Sequence, residues 1–555
     1  IKMKKLMASI LVVLMIAALA AGCRPATNAP GNSQNPVESQ APAVSNVPSE
    51  VSSTPATGDI VEGGTLIVRE AGDPMSFCPS TAADDYAYAM MQNMFNRLTK
   101  LDNSKSPIPD AAESWDVSED ALTITFNLKK NMHWWDGEAL DADDVKYTFD
   151  YIKENPTCYF SSSMEIVDSI EVVDPYTVVF HMNTADMSFV ARIGWYGTFI
   201  LPEHIYNNGQ PWEENEASKT KPVGSGPFMF ESYKQGENTT LVKNPNYHDG
   251  VPYLDKLIFA IIPDDTTAIQ AMINGEVDTI SMIPDAFLDQ MLADPNYRCD
   301  RNIYPSPWRY IFNMNNSVVG DVAVRKAIAL CVDRNDMSQK VTSGVMPPEW
   351  CAYPAIAAWC ANTEDIYPDV DIEAARKVLE DAGYTADADG YYVRGITVDC
   401  FEGQLVDMTK LLVANCQKAG IELILQVSEF NAWAEKIGPD PSGEGWMMEC
   451  QGGFMGPDPA ALASRYGTGS GSNYASYSNP EFDELCKLGA AEGDTEKRAE
   501  YYRKAQKILI EDLPAINVLG WAGYEASRSD LANLPIDGEG KWGWNEYTFT
   551  HYVAP

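Results

Sequence analysis

Apolar and polar residues alternate through Leu122-Thr123-Ile124-Thr125-Phe126-Asn127-Leu128, which predicts a strand buried on one face. Thr65 to Val68 and Tyr310 to Met314 read as strands, and Ile170 to Phe180 as two strands around an Asp174-Pro175 turn. Tyr88, Met91, Met94, Phe95 and Leu98 recur at helical spacing and predict a helix over 84–101, with its Met and aromatic stripe facing a core. Trp134-Trp135-Asp136-Gly137 makes a turn, and Asp141 caps a helix that runs to Lys153. Pro222 to Lys243 is rich in Gly and β-formers. Helices are expected over 266–274, 285–292, 321–336, 371–381, 408–418, 481–488 and 496–511, with strands at Ile421 to Val427 and Ala515 to Leu519. Helices and strands alternate over most of the length, which argues for an α/β fold. No repeat of fixed period is present.

The first 60 residues break this pattern. Lys2, Lys4 and Lys5 precede an apolar run from Leu6 to Leu19, too short to span a bilayer and closed by small residues. This is the layout of a secretory signal peptide over 1–22. Its ending, Leu19-Ala20-Ala21-Gly22-Cys23, is similar to a bacterial lipobox, in which Cys23 is diacylated and becomes the mature N-terminus. Several acyl chains on one residue give a stable anchor. The expected location is the outer face of a cell membrane, in a Gram-positive bacterium. Arg24 to Asp59 has no aromatic residue and is rich in Pro, Ser, Ala, Asn and Thr, so it cannot bury enough apolar surface to fold. Residues 23–61 are expected to form a lipidated tether. As a flexible coil it would span about 30–35 Å.

Without residues 1–22, 37 basic residues face 79 acidic ones, a net charge of −42. That balance opposes binding to nucleic acid or to an anionic lipid surface. Eleven Cys include Cys23, and the ten others contain no Cys-x-x-Cys, which excludes zinc-ribbon and thioredoxin-type sites. Most are expected to be free, buried thiols; Cys351 and Cys360 are the closest pair in sequence. The five His residues (133, 181, 204, 248 and 551) form no His-Glu-x-x-His, and there is no Gly-x-Ser-x-Gly and no phosphate-binding Gly-Lys-Ser/Thr loop. Asp387-Ala388-Asp389-Gly390 hints at a calcium loop. Thr385 and Ile396 occupy its first and twelfth ligand positions, so it reads as a turn. No catalytic set, metal site or cofactor is expected. Thirteen Trp and 27 Tyr suit a binding cleft with one apolar and one wet side.

Several short motifs follow one another in a fixed order. They are Ala112-Glu113-Ser114-Trp115, Trp134-Trp135-Asp136-Gly137, Gly224-Ser225-Gly226-Pro227-Phe228, Asn244-Pro245-Asn246-Tyr247, Asp321-Val322-Ala323-Val324-Arg325-Lys326-Ala327, Pro457-Asp458-Pro459 and Tyr477-Ser478-Asn479-Pro480. In this order the chain resembles the family 5 extracellular solute-binding proteins, the oligopeptide-, dipeptide- and nickel-binding receptors of ABC importers, over roughly residues 62–550. The resemblance implies a two-lobed periplasmic-binding-protein-like fold of type II, cluster C, with an additional subdomain in lobe I. Lobe I would comprise 62–100, 223–306 and 523–555, its inserted subdomain 101–222, and lobe II 307–522. Hinge crossings would fall near Tyr304–Asn313 and Gly520–Tyr524.

The resemblance also carries over candidate ligand contacts. Ala83 and Asp84 would lie on a loop along the ligand, and Tyr159 would cover it from the subdomain. Trp308 and Tyr310 would flank the hinge strand, and Gln404 and Phe430 would sit on lobe II loops facing the cleft. Peptide receptors of this family hold the ligand's α-amino group with an Asp three residues before the acid of the Asp/Glu-Pro pair. Here that position is Met455, beside Phe454, and the Trp often found three residues earlier is Gly452. Asp458 is the nearest substitute, although it also suits the cap of a following helix. A desolvated ammonium needs a carboxylate partner, so dependence on a free N-terminus is not expected.

The expected function is a monomeric substrate-binding lipoprotein, not an enzyme. It would deliver an oligopeptide to the permease subunits of an ABC importer. An oligosaccharide receptor and a signalling-peptide receptor are the alternatives, followed by nickel, which sparse His disfavours, and a secreted hydrolase.

Overall fold

Strands Tyr297–Phe312 and Ala515–Arg528 pair antiparallel and run through the centre of a ten-stranded sheet. The computed structural model describes residues 58–81, 84–102, 106–195, 197–453, 455–456, 458–534 and 546–554. The proposed signal segment and nearly all of the tether, with Cys23, therefore lie outside the described residues, as do Ala83 and Phe454. On one side of the central pair the sheet continues through Met448–Gly452, Val393–Phe401 and Ile421–Ser428. On the other it continues through Thr279–Ile280, Thr65–Glu70, Lys256–Ile261, Asn238–Lys243 and Phe228–Lys234. The Tyr297–Phe312 and Ala515–Arg528 ladder changes register between Ile303 and Pro307. Pro307 has no N–H to donate, so the ladder is interrupted where the sheet passes from one half to the other.

A separate antiparallel sheet of Ala112–Val117, Thr123–Leu128, Thr177–Met182 and Val167–Asp174 lies within 101–222. Helix Ala142–Glu154 has the Asp141 cap that the sequence predicts, strengthened by a reciprocal capping box with Asp144. Buried apolar residues fall into three clusters. One is drawn mainly from 66–259, a second from 310–522, and a small third centres on helix Asp265–Ile273.

Two predicted helices are corrected. The helix expected over 84–101 stops at Met91, and Thr99–Leu101 is a strand. The cause is tertiary. Gly226 and Phe228 N–H groups donate to the Met94 and Asn93 carbonyls, drawing that backbone out of the helix. A Cβ on Gly224 would lie 1.9 Å from the Met94 oxygen, so only glycine allows the approach. The helix expected over 321–336 is two, Val322–Ala329 and Arg334–Thr342, because Asp333 caps a new start by accepting from the Asp336 N–H. The ten cysteines from Cys78 to Cys486 are buried and free, so Cys351 and Cys360 are not bridged. Asp387 and Asp389 are both ion-paired to Arg394, as suits a turn. Among the described residues no helix is long and apolar enough to cross a membrane.

Candidate ligand-binding site

At the central crossing, Trp308 pairs with Gly452, Arg309 with Gln451, Tyr310 with Cys450 and Ile311 with Glu449. Side chains alternate across a strand, so this ladder presents two different faces. Tyr310 lies on the core face, fully buried, with its hydroxyl against Thr409 of helix Gln404–Lys418. The expectation that Tyr310 contacts ligand is therefore corrected: helix Gln404–Lys418 covers it and buries it in the core. Trp308 is half-buried, and its indole occupies the space over Gly452, where a Cβ would stand 2.7 Å from the ring. An aromatic ring thus covers position 452 from the neighbouring strand.

The opposite face carries Arg309, Ile311 and Gln451. With Arg465, Ser472 and Tyr474 they line a cavity of about 10 Å³, room for about one water-sized group. Arg309 is 1 % exposed. Its Nη1 donates to the Met455 sulfur at 2.6 Å, and its Nε has no partner. Met455 is fully buried, and its N–H donates to the Pro305 carbonyl at the register change. The expectation of a ligand-facing, uncharged Met455 is corrected: the thioether is buried under a cation. Burial pushes the Glu449 carboxyl up to about 8, against the pull of the Arg309 charge. Burial, then the Arg309 charge, pulls the Arg465 guanidinium down from its ordinary value.

Asp458 is committed elsewhere. Arg498 donates to its two carboxylate oxygens at 2.8 and 2.6 Å, and the Ala460 N–H donates to one of them at 2.8 Å. Its assignment to the ligand is corrected to a buried ion pair that also caps a turn. Asp84 is similarly engaged, accepting from the Ala87 N–H at 2.7 Å as a helix cap and from the Met75 N–H at 3.1 Å.

The remaining candidates are spread around the two halves. Tyr159 is 56 % exposed, in the part of the chain that carries the separate sheet, and it interacts electrostatically with Arg465. Gln404 is exposed and donates to Asp285 at 3.3 Å, joining helix Gln404–Lys418 to helix Asp285–Ala293. Phe430 is 54 % exposed, edge-on to Phe401 and stacked on Trp433. Tyr304 and Trp521 meet on the two central strands with ring centroids 4.5 Å apart and planes tilted by 35°. Arg309, Gln451, Arg465 and Tyr474 escape the sequence argument. The alternation of Trp308-Arg309-Tyr310 was the available signal for Arg309, because it places the charged residue opposite the two aromatics. Nothing in the sequence joins Arg465 to it.

This is a two-lobed α/β solute-binding fold, with the sheet crossing between lobes on two long strands. The structure resembles the substrate-binding protein CtaP of Listeria monocytogenes with a TM-score of 0.79 and 25 % identity, covering 89 % of this chain and all of that one. It also resembles the oligopeptide-binding protein AppA of Bacillus subtilis, solved with a nonapeptide, with a TM-score of 0.71, 24 % identity, and coverage of 89 % and 100 %. In sequence, AppA is 27 % identical over 495 residues, 84 % of this chain and 88 % of the relative. The dipeptide-binding protein of Escherichia coli is 24 % identical over 515 residues, 87 % and 94 % of the two chains. The family model for bacterial extracellular solute-binding proteins, family 5 Middle, matches residues 106–474. The chain belongs to the family 5 bacterial extracellular solute-binding proteins.

Proposed function

We propose that this protein captures an oligopeptide between its two lobes and passes it to the permease subunits of an ABC importer, performing no chemistry. The observation that carries this reading is the match, over more than four-fifths of the chain, to relatives whose names are oligopeptide- and dipeptide-binding proteins. Lobe I is assigned to 62–100, 223–306 and 523–555, its inserted subdomain to 101–222, and lobe II to 307–522. The register change at Ile303 to Pro307 supports a hinge there, because a broken ladder bends more easily than a continuous one. Tyr159, Trp308, Gln404 and Phe430 are the side chains assigned to the cleft. The receptor acts as a monomer held at the outer membrane face through acyl chains on Cys23. Cys23→Ser should carry no labelled acyl chain after growth on a labelled fatty acid; retained label would place the anchor elsewhere.

Recognition does not depend on a free α-amino group. The support is that Met455 is buried against Arg309, while Asp458 and Asp84 already hold partners. A buried ammonium without a counter-charge carries a penalty of roughly several kcal/mol. In calorimetry a peptide with a free N-terminus should therefore bind no more tightly than its acetylated counterpart, and tenfold more weakly for each 1.4 kcal/mol of that penalty. Tight binding of the free form with loss on acetylation would show that an acid anchors the amine. Mass spectrometry of molecules released on denaturation distinguishes a peptide from an oligosaccharide.

A further inference from the structure

We propose that Cys400 with Cys450, and Cys331 with Cys416, are two redox modification sites in the C-terminal half, each a thiol pair that closes to a disulfide by exchange with a small-molecule disulfide. The cysteines of the first pair are 50 residues apart in sequence. They stand opposite each other in register on the neighbouring parallel strands Val393–Phe401 and Met448–Gly452. Neighbouring strands lie about 4.8 Å apart, within the roughly 4.4–6.8 Å between Cα atoms that a disulfide spans. Residues in register point to one face of a sheet, here the core face that Tyr310 shares. The two thiols share a side-chain hydrogen bond. The Thr409 hydroxyl of helix Gln404–Lys418 stands 3.3 Å from the Cys400 sulfur.

The second pair meets between two helical segments. Cys331 lies just past helix Val322–Ala329, and Cys416 lies in helix Gln404–Lys418, 85 residues on. The Asn415 side-chain amide donates to the Cys331 carbonyl at 3.2 Å, which ties the two segments together beside the sulfurs. These thiols also share a hydrogen bond. All four cysteines are 0 % exposed and belong to the apolar cluster drawn from 310–522. Such pairing is selective: burial, then carboxylates rather than thiols, acts on the equally free Cys299 and Cys486. A thiol pair already in contact loses little further chain freedom when it closes.

The chemistry balances with one oxidant molecule per pair. One cysteine thiolate attacks a sulfur of the oxidant RSSR, forming a mixed disulfide and expelling RS⁻. The second cysteine thiolate attacks the cysteine sulfur of that mixed disulfide, closes the new S–S bond and expels the second RS⁻. The two thiol protons end on the two RS⁻ groups, and the pair's two electrons reduce RSSR to two RSH. Burial holds the Cys450 and Cys416 thiols well above their ordinary value, and the thiolate is the reacting form. Exchange in the folded protein therefore waits on local opening. Small-molecule disulfides persist outside the cytoplasm, where this chain is proposed to work; the chemistry of the pairs does not rest on that location. Once closed, the bonds staple two strands of the sheet to each other and helix Gln404–Lys418 to the end of helix Val322–Ala329. Both close long loops, the case in which a disulfide constrains the unfolded chain most.

The test incubates the full-length protein with oxidised glutathione in urea below its unfolding transition, beside a sample kept in dithiothreitol. Both are alkylated in strong denaturant and digested without reduction. Mass spectrometry of the oxidised sample should find peptides joined through Cys400–Cys450 and through Cys331–Cys416, while Cys299 and Cys486 stay unlinked. The oxidised protein should have a thermal unfolding midpoint about 8 °C or more above the reduced one. Cys450→Ala should lose the first link and keep the second, and Cys416→Ala the reverse. The map of the native sequence stands whether or not those variants fold. Glutathione adducts or alkyl groups on the four cysteines without either link would overturn the proposal, as would links from them to other cysteines. The named links with an unchanged midpoint would overturn the staple.

Discussion

Asp458→Ala should destabilise the C-terminal half by about 3–5 kcal/mol, the penalty for leaving one partner of a buried ion pair uncompensated. Asp458 and Arg498 have side-chain exposures of 8 % and 11 % and meet through two parallel hydrogen bonds. Arg498 also donates to the Gly489 carbonyl, and its guanidinium lies over the Trp359 and Tyr502 rings. The pair therefore ties helix Thr495–Asp512 to helix Pro480–Ala491 and to the segment before helix Ala461–Tyr466, which carries Arg465. Asp458→Asn keeps the shape but not the charge, so it should lose nearly as much. Asp458→Ala combined with Arg498→Met should be less damaging than the sum of the two, because no lone charge remains. Urea unfolding followed by tryptophan fluorescence compares the native protein with the three single variants, Arg498→Met included, and the double variant. A multi-lobed chain need not unfold in one step, so the transition assigned to the C-terminal half is the one to compare. If Asp458 served a ligand amine instead, Asp458→Asn would leave that transition unmoved and abolish binding of free-amine peptides.

Asp458 shows how far a single sequence reaches. Its spacing before a helical stretch suggested a helix cap, but it accepts from the Ala460 N–H in the turn before the helix, whose N-cap position is Ala460 with no side-chain cap bond. Its partner Arg498 lies 40 residues on, at no spacing that implies contact. Local signals were legible in part: the Asp141 cap was read, whereas the equally local Asp333 cap was missed and two helices were read as one. Asp141, Asp321, Asp371 and Asn479 all cap the helices that follow them. The alternating strand Thr123–Leu128 pairs on both sides within its own small sheet. The order of short motifs was legible too, and it led to the family that the chain belongs to.

Apart from the Asp333 cap, what stayed hidden depends on pairing between distant segments. The helix expected through Leu98 fails because Gly224 and Gly226 approach from more than 120 residues away. Tyr310 reads as a cleft aromatic by its place near Trp308, yet the distant helix Gln404–Lys418 covers it and buries it completely. Alternation puts Arg309 on the other face, on the cavity side. Met455 could be seen as a missing acid, but the cation that covers its sulfur comes from residue 309, on a neighbouring strand. Position in the ladder puts Trp308 and Tyr310 on one face and Arg309 on the other, and what covers each end of that face decides that Tyr310 is fully buried and Trp308 only half-buried.

Between pH 5.5 and 8.5 the protein should become less stable as pH rises, and Glu525→Gln should flatten that slope. Burial pushes Glu70, Glu449 and Glu525 each from an ordinary value of 4.5 up to about 8, and Glu349 up to about 7. Arg69 and Arg309 oppose the rise at Glu70 and Glu449, whereas Asp300 adds to it at Glu525. Below about 4.5 these groups are protonated whether the chain is folded or not, and they contribute no pH dependence. Between 4.5 and about 8 the unfolded chain ionises them while the folded chain holds their protons, so the folded state binds more protons and loses stability as pH rises. Above about 8 the folded groups ionise as well, and the slope from them ends. Each raised glutamate is worth on the order of a few kcal/mol across that window. Acidic groups with lowered values, such as Asp249 held by His248 and Lys129, act in the opposite direction, and only at lower pH. The large negative charge of the chain also repels itself more as pH rises, so the overall slope alone does not identify the glutamates. The variant does. Glu525→Gln removes one titration and leaves the net charge of the unfolded chain one unit less negative. Its unfolding free energy should therefore fall less than that of the native sequence between pH 5.5 and 8.5, by roughly 2–4 kcal/mol. An exposed Glu119→Gln control makes the same charge change without burial. Parallel slopes for Glu525→Gln and this control would show that Glu525 is ionised in the folded protein.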